Sequence, residues 1–263
     1  MLSRKVSAVG LLGAYALASA YSMQRSKNNF TECARGTSKK TDLKGKTVLI
    51  TGASAGIGES CAWKFAELEA KLVLVGRRQH LLEDLKTQIL AEFPRTEIHT
   101  ESMDVRNTDA CMALPEKLPA GFRDVAVLVN NAGLALGVET AQTNVIAQGQ
   151  QMLDTNTMGV IAMTRAFLPG MIERNCGHVI NMGSIAGSMF YGAGSMYCAS
   201  KAAVQAFTWA AQHDLKDTPV RMTLLSPGLI GDTEFSLVRF SGDSSKQKSV
   251  YVTWHGPFPS LSV

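Results

Sequence analysis

The sequence predicts a doubly wound α/β fold, in which helices cover both faces of a parallel sheet. Three observations support this. From Lys46 onward, short β-branched runs alternate with longer helical patterns. The runs are apolar throughout, as in Val125–Val129, which is expected when both faces of a strand are buried. The first run leads directly into a glycine-rich turn, as in Rossmann-type domains.

Six strands and five helical stretches make up this alternation. The expected strands are Thr47–Thr51, Leu72–Val75, Ile98–Ser102, Ala126–Asn130, His178–Met182 and Arg221–Leu225. The expected helices lie near Glu59–Glu69, His80–Phe93, Thr108–Leu118, Asn144–Arg174 and Ser195–Leu215. No repeat of solenoid period is visible in the sequence.

Length and charge indicate one domain with a basic N-terminal segment. A chain of 263 residues with 46% hydrophobic content can bury one sizeable core, so we expect one domain over residues 41–263 behind residues 1–40. Residues 1–46 hold nine Lys/Arg and two Asp/Glu, whereas the rest holds 17 and 20. The net charge of +4 therefore comes from the N-terminal segment. No Lys/Arg stripe with interleaved aromatic residues indicates a nucleic-acid partner.

The N-terminal segment has the layout of a targeting or anchoring sequence. Arg4 and Lys5 precede the uncharged run 6–21, and Arg25 and Lys27 follow it. About sixteen apolar residues is fewer than the roughly twenty that a spanning helix needs. A secretory signal, a mitochondrial presequence and a short membrane anchor all fit this pattern. We therefore expect organelle targeting, or membrane contact through residues 6–21, with a soluble folded domain.

The cysteines and histidines indicate no metal site. The five cysteines contain no CxxC pair, and the five histidines show no zinc-ligand spacing. We therefore expect neither a metal centre nor a disulfide framework.

The turn over Thr51–Gly58 has the composition of a phosphate-binding loop. Gly52 allows a tight exit from the strand, and Gly56 allows close approach of the backbone to a pyrophosphate. Gly58 lets the following helix lie against the sheet, so that its N-terminal N–H groups point at the anion. Three glycines alone are also compatible with an ordinary βα turn, so the assignment of a phosphate-binding loop depends on the neighbouring motifs.

Arg77 and Arg78 follow the second strand, where a site that reads a ribose 2′-hydroxyl would carry Asp or Glu. A guanidinium group matches a phosphate instead. The two arginines therefore favour NADP over NAD as the cofactor.

Several polar residues are predicted to meet at the carboxyl ends of the strands, where ligands bind in open α/β sheets. Tyr197 and Lys201 are four residues apart on one helix face, so the cation is expected to lower the pKa of the phenol. Ser184 and Asn131 follow strands, and Asn156 belongs to a long helical stretch. Such a group suits general acid–base chemistry.

The order and spacing of these motifs resemble the short-chain dehydrogenase/reductase family over roughly residues 45–245. The motifs are Thr51–Gly58, Asn130–Gly133, Asn156–Gly159, Ser184, Tyr197-x-x-x-Lys201 and Pro227-Gly228. Gly76–Gln79, Asn131–Gly137 and Pro227–Phe240 are similar to the NADP-dependent 3-hydroxy-acid (serine/allo-threonine) dehydrogenases of that family. The resemblance implies a small-molecule hydroxy acid or carbonyl substrate, and a homo-oligomer if the C-terminal sequence permits one.

The resemblance also implies which residues bind the cofactor. Arg77 and Arg78 would bind the 2′-phosphate, Asp104 and Val105 the adenine, and Asn131 the nicotinamide-side ribose. The remaining cofactor positions are Gly52, Ala53, Ser54, Ala55, Gly56, Ile57 and Gly58 at the pyrophosphate, Tyr197 and Lys201 beside the ribose, and Pro227, Gly228, Leu229, Ile230 and Thr233 over the nicotinamide.

Four residues form the catalytic set that the resemblance implies. Tyr197 removes the substrate hydroxyl proton, and Ser184 holds the oxygen whose charge changes. Lys201 lowers the tyrosine pKa, and Asn156 supports a water-linked proton relay. Arg239 is expected either to pair with a substrate carboxylate or to face water.

The C-terminal sequence departs from this family. Relatives continue into another helix and a last strand, whereas Pro257 and Pro259 disfavour a long helix here. We expect those two elements to be missing, which would leave a sheet edge unpaired.

These observations leave three functions open. The first is an NADP-dependent oxidoreductase acting on the 3-hydroxyl or carbonyl of a small hydroxy acid. The second is a membrane-associated carbonyl, sterol or retinoid reductase, which an apolar substrate cleft would favour. The third is a catalytically impaired nucleotide-binding isoform.

Overall fold

A computed structural model describes residues 42–228, 230 and 234–239 of the chain. Its six strands are β1 (Thr47–Thr51), β2 (Lys71–Gly76), β3 (Ile98–Ser102), β4 (Val125–Asn130), β5 (His178–Met182) and β6 (Arg221–Leu225). Its α-helices are α1 (Gly56–Glu67), α2 (Gln79–Glu92), α3 (Thr108–Lys117), α4 (Ile146–Leu153), α5 (Gly159–Glu173), α6 (Ser195–Asp214) and α7 (Glu234–Arg239). A π-helical segment, Asp154–Met158, joins α4 to α5, and short 3-10 turns span Ala120–Phe122 and Ile185–Gly187.

The six strands form one sheet in the order β3-β2-β1-β4-β5-β6, and every neighbouring pair is parallel. The chain moves outward from β1 to β2 and β3, and then returns to the other side of β1 with β4. The order therefore reverses between β1 and β4. In doubly wound sheets, the ligand crevice lies beyond the carboxyl ends of the strands at this point.

Both faces of the sheet are buried against helices. On one face, Leu82 of α2 and Ala62 of α1 pack with Ile50 of β1. On the other face, Met163 and Phe167 of α5 join Leu114 of α3 and residues of α6. Every residue of β1 is buried, so the apolar sequence of this strand follows from contact on both sides.

The prediction of a doubly wound parallel sheet is confirmed. Four strands have the predicted limits, and β2 and β4 differ by a single residue at their ends. The single helix predicted over Asn144–Arg174 is wrong in one respect, because the π-helical segment divides it into α4 and α5. Helix α7 was not predicted, since six residues show too little periodicity to distinguish a helix from a loop.

Some predictions concern residues outside the described part of the chain. These are the targeting or anchor segment of residues 1–40, the cofactor positions Leu229 and Thr233, and the expected loss of a helix and strand after residue 240. Among the described residues, no helix is both long and apolar enough to cross a membrane.

Candidate active site

A cavity of about 670 Å³ lies beyond the carboxyl ends of the central strands. This volume is within the range typical of small-molecule and cofactor sites. Its wall includes most of the residues that the sequence singles out: Gly52, Ser54, Ala55, Gly56, Ile57, Arg77, Arg78, Asp104, Val105, Asn131, Ser184, Tyr197, Lys201, Pro227, Gly228, Ile230 and Arg239. Ala53, Gly58 and Asn156 do not line the cavity and lie behind its wall.

The glycine-rich turn favours glycine at Gly52 and Gly58, and Gly56 also has a positive φ, of +59°. Gly52 has a φ of +65°, and a Cβ there would lie 2.8 Å from the Cα of Ala132. A Cβ on Gly58 would lie 2.2 Å from the carbonyl oxygen of Gly52. Ala55, which precedes α1, provides no side-chain cap for the first N–H groups of that helix. The turn therefore presents helical N–H donors to the cavity, as phosphate sites require.

Asn131 joins the ends of β1 and β4. Its side-chain Nδ2 donates to the carbonyl oxygens of Thr51, at 3.0 Å, and Gly52, at 3.1 Å. The hydroxyl of Thr51 accepts hydrogen bonds from the backbone N–H groups of Asn131 and Ala132, both at 3.0 Å. These four bonds hold the glycine turn against the neighbouring strand.

The two arginines after β2 lie beside the turn. Nη2 of Arg78 donates to Oγ of Ser54 at 3.1 Å, which holds this guanidinium against the turn. Arg77 is exposed and lines the same part of the cavity. Hydrogen bonds from Arg106 hold the pKa of Asp104 below its ordinary value. Sequence reasoning missed Arg106, although its position two residues after Asp104 is a simple signal for such a pair.

Tyr197 and Ser184 lie close enough to interact, and both line the cavity. Tyr197 is only 8% exposed, and the Ser184 hydroxyl also accepts a hydrogen bond from the backbone N–H of Ala186 at 3.1 Å. Lys201 is buried in the next turn of α6, and its Nζ donates to the carbonyl oxygen of Met182 at 2.8 Å. Helix α6 and the end of β5 thus bring these three predicted residues together.

The acidity of this group differs from the prediction. Burial raises the pKa of Tyr197 to about 12, although its interaction with Ser184 and the charge of Arg239 act in the opposite direction. Burial also lowers the pKa of Lys201 to about 8. The sequence predicted a lowered tyrosine pKa, but in the protein itself desolvation of the phenolate outweighs the favourable groups.

Asn156 connects three parts of the site from behind the cavity wall. Its Oδ1 accepts from the N–H of Leu134 at 2.8 Å, and its Nδ2 donates to the Leu134 carbonyl oxygen at 2.8 Å. The same Nδ2 donates to Oγ of Ser200 at 3.0 Å, and Ser200 donates to the carbonyl oxygen of Tyr197 at 2.8 Å. Asn156 belongs to the π-helical segment, a type of irregularity that is frequent at functional sites.

Arg239 of α7 reaches back to the loop after β4. Its Nε donates to the carbonyl oxygen of Gly137 at 3.2 Å, while its own carbonyl oxygen accepts from the Gly137 N–H at 3.2 Å. Its guanidinium carbon lies 5.5 Å from the ring centre of Tyr191, which is a cation–π distance. Arg239 therefore belongs to the cavity wall, where two other loops position it.

The sequence as a whole decides the family. It matches the short chain dehydrogenase family over residues 46–241, which is most of the chain. The chain belongs to this family. The prediction made from the motifs is therefore confirmed, and the glycine turn, Ser184, Tyr197 and Lys201 occupy one cavity of a short-chain dehydrogenase.

Three individual relatives are similar to this short-chain dehydrogenase over most of its length. It is 48% identical over 204 residues to an NADP-dependent 3-hydroxy acid dehydrogenase of Salmonella typhi, covering 78% of this chain and 80% of that protein. It is 41% identical over 210 residues to an NADP-dependent 3-hydroxy acid dehydrogenase of Schizosaccharomyces pombe, with 80% of each chain covered. A solved closed form of serine dehydrogenase complexed with NADP+ is 45% identical, with a TM-score of 0.74, and the match covers 79% of this chain and 82% of that one.

Proposed function

We propose that this chain is an NADP-dependent oxidoreductase that transfers a hydride between the cofactor and the 3-hydroxyl or carbonyl group of a small hydroxy acid, such as serine or allo-threonine. One observation carries the proposal: the Tyr197–Ser184 pair and the glycine-rich turn line the same cavity. The names of the relatives, which are NADP-dependent 3-hydroxy acid dehydrogenases and a serine dehydrogenase, support the same activity.

The wall of the cavity has the features that NADP needs. The first turn of α1 would offer N–H groups to a pyrophosphate, and Gly52 lets the preceding turn pack closely against Ala132. Arg77 and Arg78 would hold the 2′-phosphate, and the Ser54 hydroxyl fixes the position of Arg78. Asp104 and Val105 would flank the adenine.

Tyr197 is the group best placed to exchange a proton with the substrate. Bound NADP would supply the acceptor for the hydride of the substrate C3–H bond, so that oxidation would give a 3-oxo acid. The hydroxyl proton passes to the Tyr197 phenolate oxygen and then to water. Ser184 follows β5 and interacts with the phenol, so its hydroxyl would donate to the substrate oxygen.

Lys201 and Asn156 act through Tyr197 in this proposal. Lys201 is buried four residues after Tyr197 and would bind the ribose while its charge favours the phenolate. Asn156 is a positioning residue, because its amide links the loop at Leu134 to the turn of α6 that carries Tyr197. A water-linked relay through its neighbourhood remains a prediction from the resemblance.

Arg239 would pair with the carboxylate of the substrate. It lies in the wall of the cavity that contains Tyr197, and its charge lowers the Tyr197 pKa, so the two groups interact. The ring of Tyr191 and the carbonyl oxygen of Gly137 hold the guanidinium in place. A held guanidinium loses less entropy when it binds a carboxylate.

A turnover assay tests the proposal directly. The full chain should reduce NADP with L-serine or L-allo-threonine at least tenfold better than it reduces NAD. Tyr197→Phe should abolish this activity and retain NADP binding, measured by calorimetry, because the substitution removes only the phenol oxygen. Equal use of both cofactors contradicts the assignment of the arginines. Full activity of Tyr197→Phe contradicts the assignment of the proton acceptor.

The same assay separates the two alternatives. A catalytically impaired isoform would bind NADP without turnover of any hydroxy acid. A membrane-associated carbonyl, sterol or retinoid reductase would reject hydroxy acids, and an acidic substrate suits the guanidinium of Arg239 better. Self-assembly into a homo-oligomer, and membrane contact or organelle targeting through the N-terminal segment, remain predictions from the sequence.

A further inference from the structure

Four large apolar side chains lie exposed around the mouth of the active-site cavity. Val138, Met189 and Val238 are each 44% exposed, and Phe190 is 71% exposed, yet all four line the cavity. They come from three separate segments: the loop after β4, the loop before α6, and helix α7. We call these four residues the apolar rim.

Apart from Tyr191, which also lines the cavity, the other large exposed apolar residues of the described chain lie elsewhere. Leu68 and Met112, for example, are exposed to a similar degree but do not line the cavity. Single exposed apolar residues are ordinary on protein surfaces, whereas a cluster that converges on a cavity indicates a contact with a ligand. Such a cluster gains free energy only if the ligand covers it with apolar groups.

The rim is next to the polar groups proposed to hold the reacting end of the substrate. Phe190 precedes Tyr191, whose ring contacts the Arg239 guanidinium, and Val238 precedes Arg239 itself. A carboxylate on Arg239 and a hydroxyl at Tyr197 would fix the first three carbons of a 3-hydroxy acid. Any further substituent on C3 would then extend along the remaining wall of the cavity, where the rim lies.

We propose that the preferred substrates are 3-hydroxy acids with an apolar tail on C3, and that Val138, Met189, Phe190 and Val238 determine this specificity. The inference rests on the proposed function for the reacting carbon and oxygen. The reaction is unchanged: the C3–H hydride passes to NADP, the hydroxyl proton passes to Tyr197, and a 3-oxo acid remains. Serine has no apolar group to cover the rim, so it is a minimal substrate of the site.

The expected gain per carbon follows from the burial of apolar surface. Covering one methylene stabilises a complex by about 0.8 kcal/mol, which corresponds to about fourfold in kcat/KM if the tail stays bound in the transition state. The full chain, saturated with NADP, is assayed with 3-hydroxypropanoate, 3-hydroxybutanoate, 3-hydroxyhexanoate and 3-hydroxyoctanoate. We expect kcat/KM to rise at least tenfold from the butanoate to the hexanoate. A flat or falling profile, with serine still turned over, overturns the inference.

Substitutions in the apolar rim test whether these residues cause the preference for longer tails. Phe190→Ser and Val138→Ser should each reduce the preference for hexanoate over propanoate derivatives by at least threefold, with 3-hydroxypropanoate turnover within twofold of the wild type. Leu68→Ser, an exposed apolar residue outside the cavity, is the matched control and should leave the profile unchanged. An equal fall for short and long acids in the rim variants counts against a role in specificity.

A binding measurement separates this inference from the proposed function. The NADP-loaded protein is titrated calorimetrically with acetate and with unreactive hexanoate. Tighter binding of hexanoate, reduced by Phe190→Ser, supports the tail site even if no hydroxy acid is turned over, in which case the proposed function fails alone. Equal binding of acetate and hexanoate overturns the tail site, whatever the turnover assay gives.

Discussion

Replacing Arg78 by methionine tests how the chain distinguishes NADP from NAD. Methionine keeps much of the apolar stem and removes the guanidinium. In the structure, Nη2 of Arg78 lies 3.1 Å from Oγ of Ser54, so the charged group is fixed beside the glycine turn at the end of β2. Under the proposed assignment, the variant therefore loses a positioned donor for the 2′-phosphate, whereas the glycine-rich turn stays in place.

The size of the effect depends on how well water screens the guanidinium. A hydrogen bond to a charged group contributes about 1.5–3 kcal/mol, and Arg78 is only partly buried, so we take the lower end of this range for each bond. One or two such bonds give about 10- to 100-fold in kcat/KM for NADP. NAD carries a hydroxyl at the same place, so its kcat/KM should change less than threefold.

The measurement is kcat/KM for each cofactor at a fixed serine concentration, in low and high salt. Arg95→Met is the matched control, because Arg95 is exposed and does not line the cavity. The loss for NADP should shrink at high ionic strength, since screening weakens the contact that the variant lacks. An equal loss for NADP and NAD, or the same loss in the Arg95 variant, would refute the assignment.

Two further predictions concern the framework of the site. Gly58→Ala should destabilise the protein by about 1–3 kcal/mol in urea unfolding and weaken NADP binding, because the new Cβ would lie 2.2 Å from a backbone oxygen. This steric cost outweighs the roughly 1 kcal/mol by which alanine is favoured over glycine in a helix. Gly121→Ala, which meets nothing within 4 Å, is its control, and equal behaviour of the two would contradict the steric argument. Stability should rise with pH from about 8 towards 10, because burial lowers the folded-state pKa of Lys201 to about 8 from its ordinary 10.5, so the unfolded chain binds the extra proton in that window. Above pH 10, the raised pKa of Tyr197 acts in the opposite sense, since the unfolded chain ionises first. In Lys201→Met, the unfolding free energy measured by thermal unfolding should no longer rise by about 1.4 kcal/mol per pH unit between pH 8 and 9.5. The control Lys216→Met, at an exposed lysine, should keep this rise. An unchanged slope in Lys201→Met would show that another group causes the rise.

The sequence predicts the sheet closely because burial on both faces makes each strand apolar along its length, a pattern visible within the strand itself. A strand such as β4 is apolar at nearly every position, so its limits can be identified without knowledge of its neighbours. The glycine turn is equally local, since the positive φ of Gly52 and the close approach at Gly58 both exclude larger side chains. The residues of this turn and their place in the cavity therefore follow from a short stretch of sequence.

Other features depend on contacts that the sequence does not record locally. The pKa of Tyr197 depends on how deeply the phenol is buried, which the sequence does not show. The four-residue spacing between Tyr197 and Lys201 predicts a lowered pKa, whereas burial raises this pKa in the structure. Arg239 contacts Gly137 across 102 positions of the chain, and this pairing left no periodic pattern. The π-helical segment around Asn156 is an irregularity of a helix that is otherwise regular in its pattern.

Strand β6 supports the loop that carries Ser184, although no residue of β6 itself is proposed to be catalytic. Its end is held to the stretch around Ser184 by backbone bonds: Gly183 N–H donates to the Leu225 carbonyl oxygen, and Ile185 N–H donates to that of Pro227. Met182, whose carbonyl oxygen accepts from Lys201, pairs with Leu225 in the same ladder. Edge strand β6 of the described sheet thus holds in place the loop that is proposed to position the substrate oxygen. We expect any change that loosens this edge to lower turnover before it unfolds the domain.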